Sequence, residues 1–174
     1  MLNKIARFEK VSFEQFKEDY LKIAESSAVD YANFVNSEDK LREIYDSIRI
    51  PKRESVISAR YCFCSTLNVV LRHEKSIEIP TGICCHIEGN WLLQLIPFDN
   101  SGNKGRLQFA NTLSIIDSSD YYSNCNKHIK IKLTNDNKNF RSMDINVGDV
   151  IAKGIFIPYG IAINDLVMND EEWV

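Results

Sequence analysis

Residues 75–96 read KSIEIPTGICCHIEGNWLLQLI. Short apolar runs at 75–79, 83–87 and 91–96 are separated by Pro80-Thr81-Gly82 and Glu88-Gly89-Asn90. Runs of this length, bounded by Pro, Gly and Asn, predict strand–turn–strand–turn–strand. Proline cannot donate to a ladder, and glycine admits the positive φ of a tight turn. The pattern continues on both sides, with candidate strands at 54–63, 67–72, 106–109, 113–116, 128–134, 140–143, 150–152 and 154–158. Further turn signals are Asp99-Asn100-Ser101-Gly102, Asn135-Asp136-Asn137 and Val147-Gly148-Asp149. Many short strands with regular turns predict a sandwich or a jelly-roll-like β-barrel.

Before Pro51 the character differs. Residues 3–8 (NKIARF) predict a short strand. Ser12 is placed as a helix N-cap, with Gln15 three residues on completing a capping box. Phe13, Phe16, Tyr20, Ile23 and Ala24 recur at helical spacing and predict a helix over 13–26. A second helix is expected over 28–48, with a break near Asn36-Ser37. Its apolar side is Tyr31, Phe34, Leu41, Ile44, Tyr45 and Ile48. The expected organisation is an N-terminal strand and two-helix extension, 1–50, packed on a β-domain, 51–174.

The chain has 174 residues, enough for one domain with a core of its own. Net charge is -3, which gives no electrostatic footprint for duplex nucleic acid or an anionic membrane. No apolar stretch is long enough to span a bilayer, and the segment MLNKIARFEK has no apolar signal core. A cytoplasmic location is expected. Five cysteines, an odd number with no Cys-x-x-Cys pair, argue against a disulfide framework or a zinc site. Cys62 and Cys64 share one face if they lie in a strand. His73, His86 and His128 are scattered without metal-ligand spacing and read as structural or surface residues.

Four segments, in order, resemble the dUTP diphosphatase (dUTPase) family. PKRESVISARYCF (51–63) resembles its first motif, basic residues followed by S-A-G-Y-D. IEIPTGI (77–83) resembles the I-x-[IV]-P-T-G-[IL] hairpin. RLQFANTLSIIDSSDYY (106–122) resembles the third motif, an asparagine followed by G-x-I-D-S-D-Y. GDVIAKGIF (148–156) resembles G-D-R-I-A-Q-hydrophobic. The start, KIARFEKVSFEQF, is similar to an extension on some Firmicute-type and phage-type members. The resemblance implies a homotrimer of jelly-roll subunits whose sites draw motifs from more than one subunit.

It also implies a base-and-sugar pocket. Asn111 matches the residue that frames uracil, and Asp117 the carboxylate that orients the attacking water. Ser114 stands for the usual glycine, Ile116 precedes Asp117, and Tyr121 lies one place beyond the expected sugar-packing tyrosine. Read without the family, Asn111 reads first as a turn residue and Asp117 as a hairpin-capping carboxylate. The phosphate apparatus departs from the pattern. Cys62 stands for the motif aspartate, and a neutral thiol is a poor ligand for a hard cation. Arg60 replaces the glycine beside it. Pro97-Phe98-Asp99-Asn100 stands where P-R-S-G is expected, and a phenyl ring does not replace a phosphate-binding arginine. Lys153 replaces a glutamine and keeps donor capacity. The last residues, LVMNDEEWV, do not match the family's glycine-rich arm. Each lost charge-assisted contact is worth roughly 1.5–3 kcal/mol.

Three readings follow. In the first, the chain is a nucleotide-binding protein with impaired catalysis. Asn111, Ser114, Ile116, Asp117 and Tyr121 would meet base and sugar, and Arg60 and Lys153 would supply positive charge. It would need no cofactor and would sequester or sense a nucleotide, including as a phage-encoded sponge for a host signal. In the second, it is a divergent active dUTPase using Asp117 and magnesium. In the third, the face binds a regulatory protein, with Asp170-Glu171-Glu172-Trp173 a candidate contact.

Overall fold

The Pro80-Thr81-Gly82 turn sits where two strands and the first helix converge. A computed structural model describes residues 3–25, 37–98, 107–111, 113–122, 128–137 and 139–165. In chain order its elements are β1 (Ala6–Lys10), α1 (Phe13–Glu25), α2 (Glu38–Ser47), β2 (Lys52–Arg53), β3 (Tyr61–Cys64), β4 (Val69–Leu71) and β5 (Ser76–Pro80). There follow β6 (Ile83–Ile87), β7 (Trp91–Pro97), β8 (Leu107–Phe109), β9 (Ser114–Ile116), α3 (Ser118–Tyr122), β10 (Lys130–Asn135), β11 (Met143–Ile145) and β12 (Val150–Pro158). A five-stranded sheet has the order β2-β3-β12-β7-β9. Beside it lie β5-β10-β8 and the pairs β1-β6 and β11-β4. All the pairings are antiparallel.

Several sequence expectations change. The run 54–63 is a strand only from Tyr61; residues between β2 and β3 turn instead. Arg53 fixes that turn, its Nη1 donating to the carbonyls of Val56 (2.9 Å) and Ser58 (3.1 Å). The runs expected at 150–152 and 154–158 are one strand, β12, with a bulge near its start. Gly154 is not a break. A Cβ there would lie 2.8 Å from Leu93 and 2.9 Å from Phe63, so the glycine lets three strands pack closely. Helix α3 was not expected, and β1 runs to Lys10. Residues 26–36, which carry much of the expected second helix with Tyr31 and Phe34, lie outside the described residues, as does the Asp99–Gly102 turn. α2 starts at Glu38, after Ser37, an extended N-cap residue with φ -84° and ψ 129°.

The amphipathic face of α1 explains its placement. Phe16 and Tyr20 are fully buried, and Phe13 and Ile23 nearly so. Each such side chain contributes about 1.5–3 kcal/mol relative to exposure. Leu41 and Tyr45 of α2 meet the same cluster, and the Tyr45 hydroxyl donates to the Val11 carbonyl at 2.7 Å. Ser12 caps α1, accepting from the Gln15 backbone N–H at 3.2 Å. The capping box is only half made, because the Gln15 side chain turns to Asp19 (2.9 Å). Among the described residues, no helix is long and apolar enough to cross a membrane.

That carboxylate is the polar centre of the core. The Asp19 side chain is fully buried, and Oδ2 lies 2.7 Å from His128 Nδ1 while Oδ1 lies 2.7 Å from Lys130 Nζ. On its far side His128 Nε2 accepts the Gly82 N–H at 2.6 Å. With Nε2 an acceptor, Nδ1 carries the proton, so His128 is neutral and held in one tautomer. Gly82 has φ +71°, a conformation that L side chains rarely adopt. Helix, turn and β10 are thus joined through one imidazole.

Burial holds the His128 pKa below its usual 6.5, against the hydrogen bond that Nδ1–H donates to Asp19, which acts the other way. The unfolded chain therefore takes up a proton that the folded chain refuses. The resulting stability is complete above pH 6.5 and is lost as pH falls from there through the depressed folded value. In urea unfolding, His128→Gln should remove a wild-type slope of up to about 1.4 kcal/mol per pH unit below that point. Asp19→Ala should cost about 3–5 kcal/mol at neutral pH, because it leaves Lys130 and His128 without their buried acceptor.

Candidate functional site

Strands β8 and β9 bracket the loop carrying Asn111. β8 is held by β10, with Phe109 opposite Leu133, and β9 by β7, with Ser114 opposite Leu95 and Ile116 opposite Leu93. Between them lies a crevice of about 80 Å³, lined by Asn111, Ser114, Leu95, Phe109, Glu78 and the Lys130–Lys132 stretch. Asn111 is exposed and Ser114 half-buried. Enclosed sites for small organic ligands need roughly 300 Å³ or more. The crevice is therefore a shelf for the edge of one ring, and a larger ligand needs a second surface over it.

Asp117 follows β9 and begins α3. Its Oδ1 accepts from the Ser119 backbone N–H (2.8 Å) and hydroxyl (2.6 Å), while its own N–H donates to Asp120 Oδ2 at 2.8 Å. This reciprocal cap stabilises a helix too short to persist alone. Asp117 Oδ2 has no hydrogen bond among the described residues. Tyr121 packs edge-on against His86, ring centroids 5.0 Å apart, and Tyr122 bonds His86 Nε2 at 2.8 Å. Ile116 packs against the core.

Arg60 and Lys153 lie elsewhere. Lys153 is opposite Cys62 on one side and Ile96 on the other, whereas Leu95, the partner of Ser114, is opposite Gly154. Paired residues in an antiparallel sheet project to the same face, and neighbours along a strand to opposite faces. The shelf and the Lys153 cluster therefore occupy opposite faces of one sheet.

On the outer face Lys153 is 9% exposed. Its ammonium is 2.6 Å from Glu54 Oε1 and 4.6 Å from the centroid of Phe98. The second Glu54 oxygen is 3.9 Å from Arg60 Nη2. The hydrogen bond from Lys153 holds the Glu54 carboxyl below the usual range. Burial, then the Glu54 carboxylate, push the Cys62 thiol up, so it is neutral at physiological pH. Positions 62, 98 and 153, which the resemblance assigns to three separate motifs, come together here, the last two around one ion pair and the first beside it. A protonated thiol and a carboxylate already taken by lysine do not suit magnesium, and among the described residues no three His, Cys, Asp or Glu side chains form a metal-binding group. Burial pushes the Cys85 thiol up to about 12, marking it as inert core.

Sequence reasoning missed Glu54. It lies 99 residues from Lys153 and inside a run that read as continuous strand, so nothing local signalled the pair. It also gave His128 no partner, although a buried histidine needs one.

The mainly β body, the N-terminal helices and the β8–β9 shelf define a jelly-roll fold of the dUTPase type. No family model matches the chain. The deoxyuridine 5'-triphosphate nucleotidohydrolase of Lactococcus lactis is 26% identical over 125 residues, 72% of this chain and 83% of that protein. The dUTPase crystal structure from Streptococcus mutans superposes with a TM-score of 0.57 at 22% identity, covering 65% of this chain and 88% of that one. The dUTPase from phage phi11 of S. aureus gives 0.56 at 19%, covering 72% and 92%. A further structure of the phi11 enzyme, a point mutant, coordinates a structural Mg(II) ion. The chain is dUTPase-like: its fold is that of these enzymes, and its sequence is related to the lactococcal one.

The cap assigns Asp117 a structural task that can be separated from any chemical one. Asp117→Ala should lower stability by about 1 kcal/mol in chemical unfolding, whereas Asp117→Asn, which keeps an N-cap acceptor, should change it by a few tenths.

Proposed function

We propose that the chain is a dUTPase-like nucleotide-binding protein that captures its ligand without hydrolysing a triphosphate. The observation that carries this is the Glu54–Lys153 pair beneath Phe98. Triphosphate hydrolysis needs free cationic donors and a metal to absorb the charge that develops on the phosphates. Here the lysine is neutralised from within the chain, the arginine position is a phenyl ring, and the metal-side carboxylate is a thiol. What remains is the shelf at Asn111 and Ser114, which fits the edge of a base.

A shelf on one face and a cationic cluster on the other meet the same ligand only when they come from different copies. A homotrimer with sites between subunits fits both this placement and the resemblance. In the cytoplasm such an assembly would sequester or sense a nucleotide, and similarity to phage enzymes favours a phage-encoded sponge. The Staphylococcus bacteriophage 80alpha dUTPase controls transfer of virulence genes by a G protein-like mechanism, and a protein partner for this chain is the corresponding alternative.

One observation favours an active enzyme instead: Asp117 keeps Oδ2 without a hydrogen bond among the described residues and only half-buried. A diphosphate-release assay with dUTP and magnesium, run beside calorimetry with a nucleotide panel that includes cyclic dinucleotides, separates the readings. The proposal expects no release above the uncatalysed rate and saturable binding of one nucleotide. Release that disappears in Asp117→Asn would establish the enzyme and overturn it.

A further inference from the structure

We infer that Glu54 is a built-in counter-anion: it occupies the cationic face that a polyphosphate would need, and it is the residue that bars ligands carrying a phosphoanhydride there. The inference rests on the reading of this face as part of the ligand site, and it assigns the specificity to one side chain.

The geometry supports it from several directions. Glu54 reaches two cations of different character, the enclosed Lys153 ammonium at 2.6 Å and the more exposed Arg60 guanidinium at 3.9 Å. Lys153 cannot turn aside to meet a different anion, because its side chain is only 11% exposed and the Phe98 ring covers it. The backbone that carries Glu54 is held as well. It enters the turn after Arg53, which clamps the carbonyls of Val56 and Ser58, and the Ser58 N–H closes on the Ser55 carbonyl at 3.2 Å. An arriving phosphate must therefore share the site with a carboxylate or displace it. Sharing places like charges together, and displacement costs Lys153 a short charge-assisted hydrogen bond. Cys62, in register beside Lys153, is a neutral thiol and offers no compensating metal ligand.

Glu54 is half-exposed at the edge of the sheet, so its replacement leaves the core intact. Inorganic diphosphate is titrated calorimetrically into the wild-type protein, Glu54→Gln and Glu54→Ala, after matched unfolding curves show that each is folded. The expected result is no measurable binding to wild type and affinity at least about tenfold higher in both variants. Equal affinity in all three proteins, whether tight or absent, would overturn the assignment. 2'-Deoxyuridine, titrated in parallel, reads the Asn111–Ser114 shelf separately. If it binds none of the proteins while diphosphate still distinguishes them, the nucleotide reading fails and the role of Glu54 stands.

Discussion

The buried Asp19 carboxylate orders much of this molecule. A charge taken out of water is tolerable only when its lone pairs are used. Here Gln15 from its own helix, Lys130 from β10 and the His128 imidazole use them. Because His128 passes its other nitrogen to Gly82, the helix is tied to the turn that aligns β5 with β6. β10 then sets β8, and through β8 one wall of the shelf at Asn111. The N-terminal segment is therefore part of what positions the site, not an appendage to it. The aromatic side chains of α1 bury its apolar face, while the Asp19–His128 pair ties the helix to the turn.

The second constraint is the five-stranded sheet. Its pleat sends Ser114 and Lys153 to opposite faces, so within one copy of the chain the shelf and the Lys153 cluster do not face each other. On the outer face Glu54 neutralises the Lys153 ammonium under Phe98, with Cys62 in register beside it and the Arg60 guanidinium 3.9 Å from the second carboxylate oxygen. Losing an arginine alone would leave a weakened phosphate site. A carboxylate between Lys153 and Arg60 offsets one of the two cations there and weakens the attraction for an arriving phosphate further. The cluster thus has its own chemistry, and residues 62, 98 and 153, far apart in sequence, meet around one ion pair in three dimensions.

The sequence made much of the fold legible, for physical reasons. Strands β5, β6 and β7 were read almost to the residue, because Pro80-Thr81-Gly82 and Glu88-Gly89-Asn90 mark their ends chemically. Gly154 misled, since a glycine needed for close packing against Leu93 and Phe63 has the same local signature as a strand break. Helix α3 was hidden because its stability comes from the Asp117–Asp120 cap, not from periodicity. Asn111 and Ser114, singled out through the resemblance, lie close together in sequence, and the structure places both on the lining of one crevice. Glu54 was not singled out, because its meaning depends on Lys153 in a distant strand.

The state of the Lys153 ammonium tests the central claim most directly. Lysine-detected 15N NMR on the intact protein would observe its Nζ resonance and the exchange of its protons with water. The account predicts a slowly exchanging, Glu54-bonded ammonium whose resonance does not move when millimolar inorganic diphosphate is added. A fast-exchanging Lys153 resonance that shifts on diphosphate addition would mean that the cationic face is open to phosphate, and would contradict it.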